Sequence, residues 1–110
     1  MAETLKILGQ SAPANTSNAD LYTVPSATSA VVSTIAISNF GSVGTTYRIF
    51  VVPSGGTAST ANSLAYDIPI SGSSLTTLTL GITLAAGAKI IIRTATANSL
   101  AFHAWGSEIA

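Results

Sequence analysis

From Asp20 onward, apolar and polar residues alternate with a period of two, which predicts half-buried strands. Leu21 to Val24 is a short strand stopped by Pro25. A long strand follows, in which Val31, Ser33, Ile35 and Ile37 share one face and Val32, Thr34 and Ala36 the other, up to Asn39-Phe40-Gly41. After the connector Gly41 to Gly44, Tyr47, Ile49 and Val51 alternate with Arg48, Phe50 and Val52 before Pro53. Leu64, Tyr66, Ile68 and Ile70 fall on one face with Ala65 and Asp67 opposite, and Pro69 marks that strand as an edge or a bulge. Beyond Ser71 to Ser74, Leu78, Leu80, Ile82 and Leu84 oppose Thr77, Thr79 and Thr83. Lys89 to Thr94 and Leu100 to Ile109 complete the set. Only Thr57 to Ser63 has room for a helical turn, and a loop is expected there. Short strands at this spacing, separated by Gly, Ser and Pro turns, predict an all-β chain, an antiparallel sandwich or barrel.

The N-terminal stretch reads differently. Thr4 to Leu8 can form a strand, but Gly9 to Asp20 has no apolar period and many turn formers. Residues 1–18 are therefore expected to be an arm and linker, and residues 19–110 a single β-sandwich domain. A strand on a flexible tether is suited to adding onto a neighbour's sheet edge.

Two strands are apolar on both faces. Lys89-Ile90-Ile91-Ile92-Arg93 has no polar residue between its flanking cations, and Phe50 and Val52 oppose Tyr47, Ile49 and Val51. Such strands call for cover outside the sandwich, from a partner subunit or from loops of the same chain. One motif recurs: Thr60 to Tyr66 (TANSLAY) and Thr96 to Phe102 (TANSLAF). Both copies sit where a loop is expected to become a strand, with Leu and the aromatic in core positions.

At 110 residues the chain is one domain. Its 7% of charged residues is far below the roughly 25% of ordinary domains, while 47% are hydrophobic, which excludes common disorder. Four cations balance four acids, arguing against nucleic-acid binding and against attachment to anionic lipid. Ser and Thr supply roughly a quarter of the chain, so the surface is polar but neutral, and near-zero net charge favours association. Without cysteine there is no disulfide scaffold or thiolate metal site. No run is long enough for a membrane span, and Met1 to Gln10 lacks a signal-peptide core, so cytosolic synthesis is expected.

Candidate chemistry is sparse. His103 shares a strand face with Trp105 but has no nucleophile motif beside it, and Glu3, Asp20, Asp67 and Glu108 are scattered. The four carboxylates are better matched to pairing with Lys6, Arg48, Lys89 or Arg93. No enzyme, cofactor, metal or small-molecule substrate is expected. Sugar binding through Trp105, Tyr22, Tyr47 and Tyr66 is the rival reading, although Tyr47 and Tyr66 fall in register with core aliphatics and aromatics make up only 6% of the chain.

Leu5-Lys6-Ile7-Leu8-Gly9-Gln10-Ser11-Ala12-Pro13, Leu21 to Pro25, Thr45 to Arg48, Leu80 to Leu84 and the terminal Trp105-Gly106-Ser107-Glu108 together carry a resemblance. The chain resembles small virion proteins of tailed bacteriophages, frequent among phages of cyanobacteria and marine bacteria. That likeness spans nearly the whole chain, but its motifs are structural. It implies a non-enzymatic capsid decoration, or cement, protein with a jelly-roll-like β-sandwich of about 7–8 strands. Such a protein would be made in the bacterial cytoplasm, form a homotrimer and bind the major capsid protein on the outer surface of the virion. A tail, baseplate or fibre-associated protein is the alternative, and a carbohydrate-binding module the third expectation. Leu5, Ile7 and Leu8 are the candidate arm contacts. Phe50, Ile91 and Trp105 are the candidates for subunit packing.

Overall fold

A computed structural model describes residues 2–110. Eight strands run as β1 (Glu3–Ser11), β2 (Ala19–Thr23), β3 (Ser29–Asn39), β4 (Thr45–Val52), β5 (Ser63–Ile70), β6 (Ser74–Leu84), β7 (Lys89–Thr94) and β8 (Leu100–Ile109). A single 3-10 turn, Thr60–Asn62, interrupts the loop before β5. The strands form two four-stranded sheets, ordered β1-β8-β3-β6 and β2-β7-β4-β5, with every pairing antiparallel. Successive pairs β1/β8, β2/β7, β3/β6 and β4/β5 alternate between the sheets. The first half of the chain is thus a ribbon laid along the second half and rolled up, which is jelly-roll topology. The expected all-β sandwich is the observed architecture.

Between the sheets lies one core. The first sheet supplies Val32, Ile35, Ile37, Leu100 and Phe102; the second supplies Leu21, Tyr47, Ile49, Ile90 and Ile92. Tyr47 and Phe102 meet edge to face across the interior, ring centroids 6.3 Å apart. As Pro69 predicts, β5 is an edge strand, and it is bulged.

The first sheet carries irregularities at one level across all its strands. Leu8 is an extra residue in β1 opposite Trp105/Ala104, Ser33 an extra residue in β3 opposite Gly106/Trp105, and β6 gains one residue between Thr79 and Ile82. A bulge flips the faces beyond it. Val31, expected on the face of Ile35 and Ile37, therefore lies on the other face, and Val32 enters the core. The Ser33 hydroxyl donates to the Trp105 carbonyl at 3.1 Å and ties the bulge to β8. Gly106 is required there, because a β-carbon would collide with the Val31 carbonyl oxygen. In β5, similar shifts put Ala65 in the core and leave Leu64 and Tyr66 exposed, the reverse of the expected faces. Consequently the two TANSLA copies diverge: Leu100 and Phe102 are buried, whereas Leu64 and Tyr66 are not.

The segment expected to be an arm lies along the body. Glu3–Ser11 extends the chain's own sheet as edge strand β1, paired with β8. Leu8, bulged out of register, packs against the core, and Gly9 abuts the Leu21 carbonyl. The loop after β1 is held by the Asn98 amide, which donates to the Pro13 carbonyl at 3.0 Å.

Two polar hubs secure the sandwich. Buried Asn39 donates to the carbonyls of Val43 (2.9 Å) and Ile70 (3.4 Å), and its Oδ1 accepts from the Gly41 amide (3.0 Å) and the Ser99 hydroxyl (2.9 Å). At the other end, Glu108 of β8 accepts from the Tyr22 hydroxyl of β2 at 2.6 Å and from Lys6 of β1 at 3.0 Å. This clasp joins both sheets. The Tyr22 hydroxyl and then the Lys6 ammonium hold the Glu108 carboxyl below its ordinary 4.5. Burial first, then Glu108, push the Tyr22 phenol above its usual range.

Asn39→Ala should cost about 3 kcal/mol, because several buried groups lose their partner at once. Urea denaturation would show the midpoint falling at unchanged slope. For Glu108, the folded state holds the proton less tightly than the unfolded chain, so the unfolded state binds more protons just below pH 4.5. Stability is complete above that value and falls as the pH drops through the depressed folded value. Glu108→Gln should lower stability at neutral pH and flatten that acid limb, as followed by thermal melts from pH 6 to pH 2.

Candidate functional site: the outer face of the first sheet

Cross-strand partners share a face, so the register maps the outer surface of the first sheet row by row. One row reads Leu5, Ser107, Val31, Thr83. The next reads Ile7, Trp105, Thr34, Thr79. A third reads Gln10, His103, Ala36, Thr77. None of these twelve residues is charged, since Lys6 and Glu108 alternate to the inner side; the charge on this face is Glu3, in the terminal row with Ile109 and Ser29. Leu5 is 80% exposed, Ile7 59% and Trp105 39%. Large apolar side chains left in water, in a field of hydroxyls and amides, make this face the candidate site.

The sequence candidates therefore divide. Leu5 and Ile7 come together with Trp105, although the sequence pattern assigns the first two to an arm and the third to the body. Ile7 and Trp105 are direct cross-strand neighbours. Leu8 is partly buried and packs against the core instead. His103 lies in the row beyond, its Nδ1 3.1 Å from the Gln10 amide nitrogen, which suits a packed surface residue.

On the outer face of the second sheet, Phe50 sits between Arg48 and Val52 on β4 and opposite Ile91 on β7. Phe50 is only 3% exposed. The Tyr66 ring stands edge-on against it, centroids 6.3 Å apart, and residues Ala58 to Thr60 line the adjoining cleft. Cover for this face comes from the same chain, and Ile91 is half-buried beside Phe50. Arg48 lies 4.0 Å over the Tyr66 ring and donates to Asp67 through Nε at 2.7 Å and Nη2 at 3.2 Å. That guanidinium holds the Asp67 carboxyl below the usual aspartate range.

Periodicity did not reveal the exposed Phe40, Val43 and Leu75, at the far end of the first sheet and its adjoining loop. Phe40 and Val43 lie in a connector, where an alternation rule says nothing. Nor do the aromatics assemble into one sugar platform: Tyr22 and Tyr47 are buried, and Trp105 and Tyr66 lie on opposite outer faces.

No protein-family model and no curated protein matches the chain. Among solved structures, the chain is similar in fold to a chain in the structure of infectious bursal disease virus, Gx strain, with a TM-score of 0.51 and 12% identity. The match covers 97% of this chain and 31% of the other, so this protein spans about a third of that chain's length. At this identity the likeness concerns the fold alone.

Proposed function

We propose that the protein is a non-enzymatic structural component of a virion, a capsid decoration protein that binds the outer shell as an oligomer and stabilises contacts between capsomers. The observation that carries this reading is the outer face of the first sheet, where Leu5, Ile7 and Trp105 stand exposed on a rigid framework and charge is confined to Glu3 at the end of β1. Four strands about 4.8 Å apart and about 36 Å long present roughly 700 Å². That is close to the about 800 Å² per partner of a standard interface, so this face suffices for one stable contact. The fold likeness to a chain of a virus particle and the resemblance to small phage virion proteins favour a shell as the setting. Repeating one contact around a threefold axis would give three docking faces, and their avidity would compensate for modest affinity at each.

A tail, baseplate or fibre-associated role uses the same fold and the same face at lower copy number. Quantitative mass spectrometry of gradient-purified particles, calibrated against the major shell protein, separates the readings. A copy number of the same order as the shell subunit is the expected result. A small fraction of that number would move the protein to the tail, and its absence from particles would overturn the virion reading. Sedimentation velocity gives a second check. Ile7→Ser/Trp105→Ser should shift the oligomer toward monomer while leaving the far-ultraviolet circular dichroism unchanged.

A further inference from the structure

The second sheet carries an electrostatic arrangement that its fold does not require. Arg48 on β4 and Arg93 on β7 are direct cross-strand partners on the outer face. Like charges placed opposite each other destabilise a sheet. The chain has only four Lys and Arg in all, yet two of them meet here. Arg48 is satisfied by Asp67 and by the Tyr66 ring. Among the described residues, Arg93 has no ion-pair or side-chain hydrogen-bond partner. Two guanidinium groups and one carboxylate leave a local charge of +1.

Both arginines line two clefts. One, of about 240 Å³, adds Thr16, Thr46, Thr94 and Asp67; the other, of about 270 Å³, adds Asn18, Ser59, Thr60 and Tyr66. The first is bounded by fixed structure. Thr94 is fully buried with its hydroxyl donating to the Thr96 carbonyl at 2.8 Å, and the Ala95 amide donates to the Thr46 carbonyl at 3.1 Å. Asp67 sits in a bulge at φ +54°, where its carboxylate takes the nearer guanidinium and leaves the farther one open.

We infer that Arg93, assisted by Arg48 and the Thr16 and Thr46 hydroxyls of the first cleft, binds a single carboxylate group. A guanidinium presents parallel N–H donors that match a carboxylate in bidentate geometry. One negative charge neutralises the site, whereas a phosphate dianion would set excess charge against Asp67. The acid group fills only part of a cleft of this volume, so the portion of the ligand that carries it is seated beside it and the rest projects from the surface. Two sources supply that chemistry: a sugar acid and an acidic side chain of a partner protein. This site lies on the opposite outer face from Leu5, Ile7 and Trp105 and does not depend on the proposed virion role.

The test is a nitrogen-15 NMR titration of the intact chain in low-chloride buffer, with sodium acetate, D-glucuronate, N-acetyl-aspartyl amide and inorganic phosphate as probes. Saturable shifts of the Arg93 Nε–H and the Thr94 and Ala95 amides are expected with the carboxylates. Arg93→Gln should weaken acetate binding at least tenfold. Because Arg93 faces a like charge, the same variant should melt at an equal or higher temperature without ligand, which separates lost binding from lost folding. Tighter binding of glucuronate than of the aspartyl amide assigns the ligand to sugar acids, and the reverse order to a protein partner. Non-saturating shifts, equal shifts in Arg93→Gln, an equal response to sodium chloride, or a preference for phosphate would overturn the proposal.

Discussion

The line of bulges across the first sheet is the constraint on which the remaining features depend. Leu8, Ser33 and the extra residue of β6 lie level with Trp105 and Gly106 in the central strand β8. Without them, the long strands could not bend around the core and still hold their pairing. They turn Val32 and Leu8 inward, and they set Leu5, Ile7 and Trp105 on one outward face. Close approach of the Val31 carbonyl to Gly106 is what makes the bend possible, and no residue with a β-carbon meets that condition.

Charge is then distributed so that the middle of this surface, away from Glu3 at its end, carries none. Lys6 and Glu108, neighbours of the exposed apolar residues in sequence, point inward and close the clasp with Tyr22. Arg48, Asp67 and Arg93 gather on the opposite outer face. The molecule therefore has one partly apolar side, charged only at Glu3 on its end, and one side bearing a concentrated positive site. A chain with 7% charged residues uses six of its eight in cross-strand pairs.

Period-two alternation was enough to read the all-β class, most strand positions and the edge character of β5, because half-buried strands must alternate and Pro69 cannot donate to a ladder. The face of a residue was legible only up to the first bulge. β6 has an unbroken burial alternation, and Leu78, Leu80, Ile82 and Leu84 lie on the inner side as their spacing predicts. Val31, Leu64 and Tyr66 do not, since one extra residue in β3 or β5 reverses the faces on its far side. The full extent of β1 was not legible for a related reason: Gly9 to Asp20 has a turn composition, yet Gly9 to Ser11 still pair with Ala104 to Phe102 on β8. Pairing over ninety residues of separation leaves no local mark. The proximity of Ile7 to Trp105 and of Arg48 to Arg93 is likewise a product of long-range register. The identities were visible in the sequence, but their juxtaposition was not.

The central claim is that the outer face of the first sheet is the surface through which the protein works. Trp105, the only tryptophan, reports on that face directly. Hydroxyl-radical footprinting with residue-resolved mass spectrometry would compare oxidation of Trp105, Ile7 and Leu5 in the dilute isolated chain and in purified particles. The account predicts strong oxidation of all three in the free chain and protection of all three on the particle, with Tyr66 on the other face unchanged. Equal oxidation of Trp105, Ile7 and Leu5 in both states would contradict it.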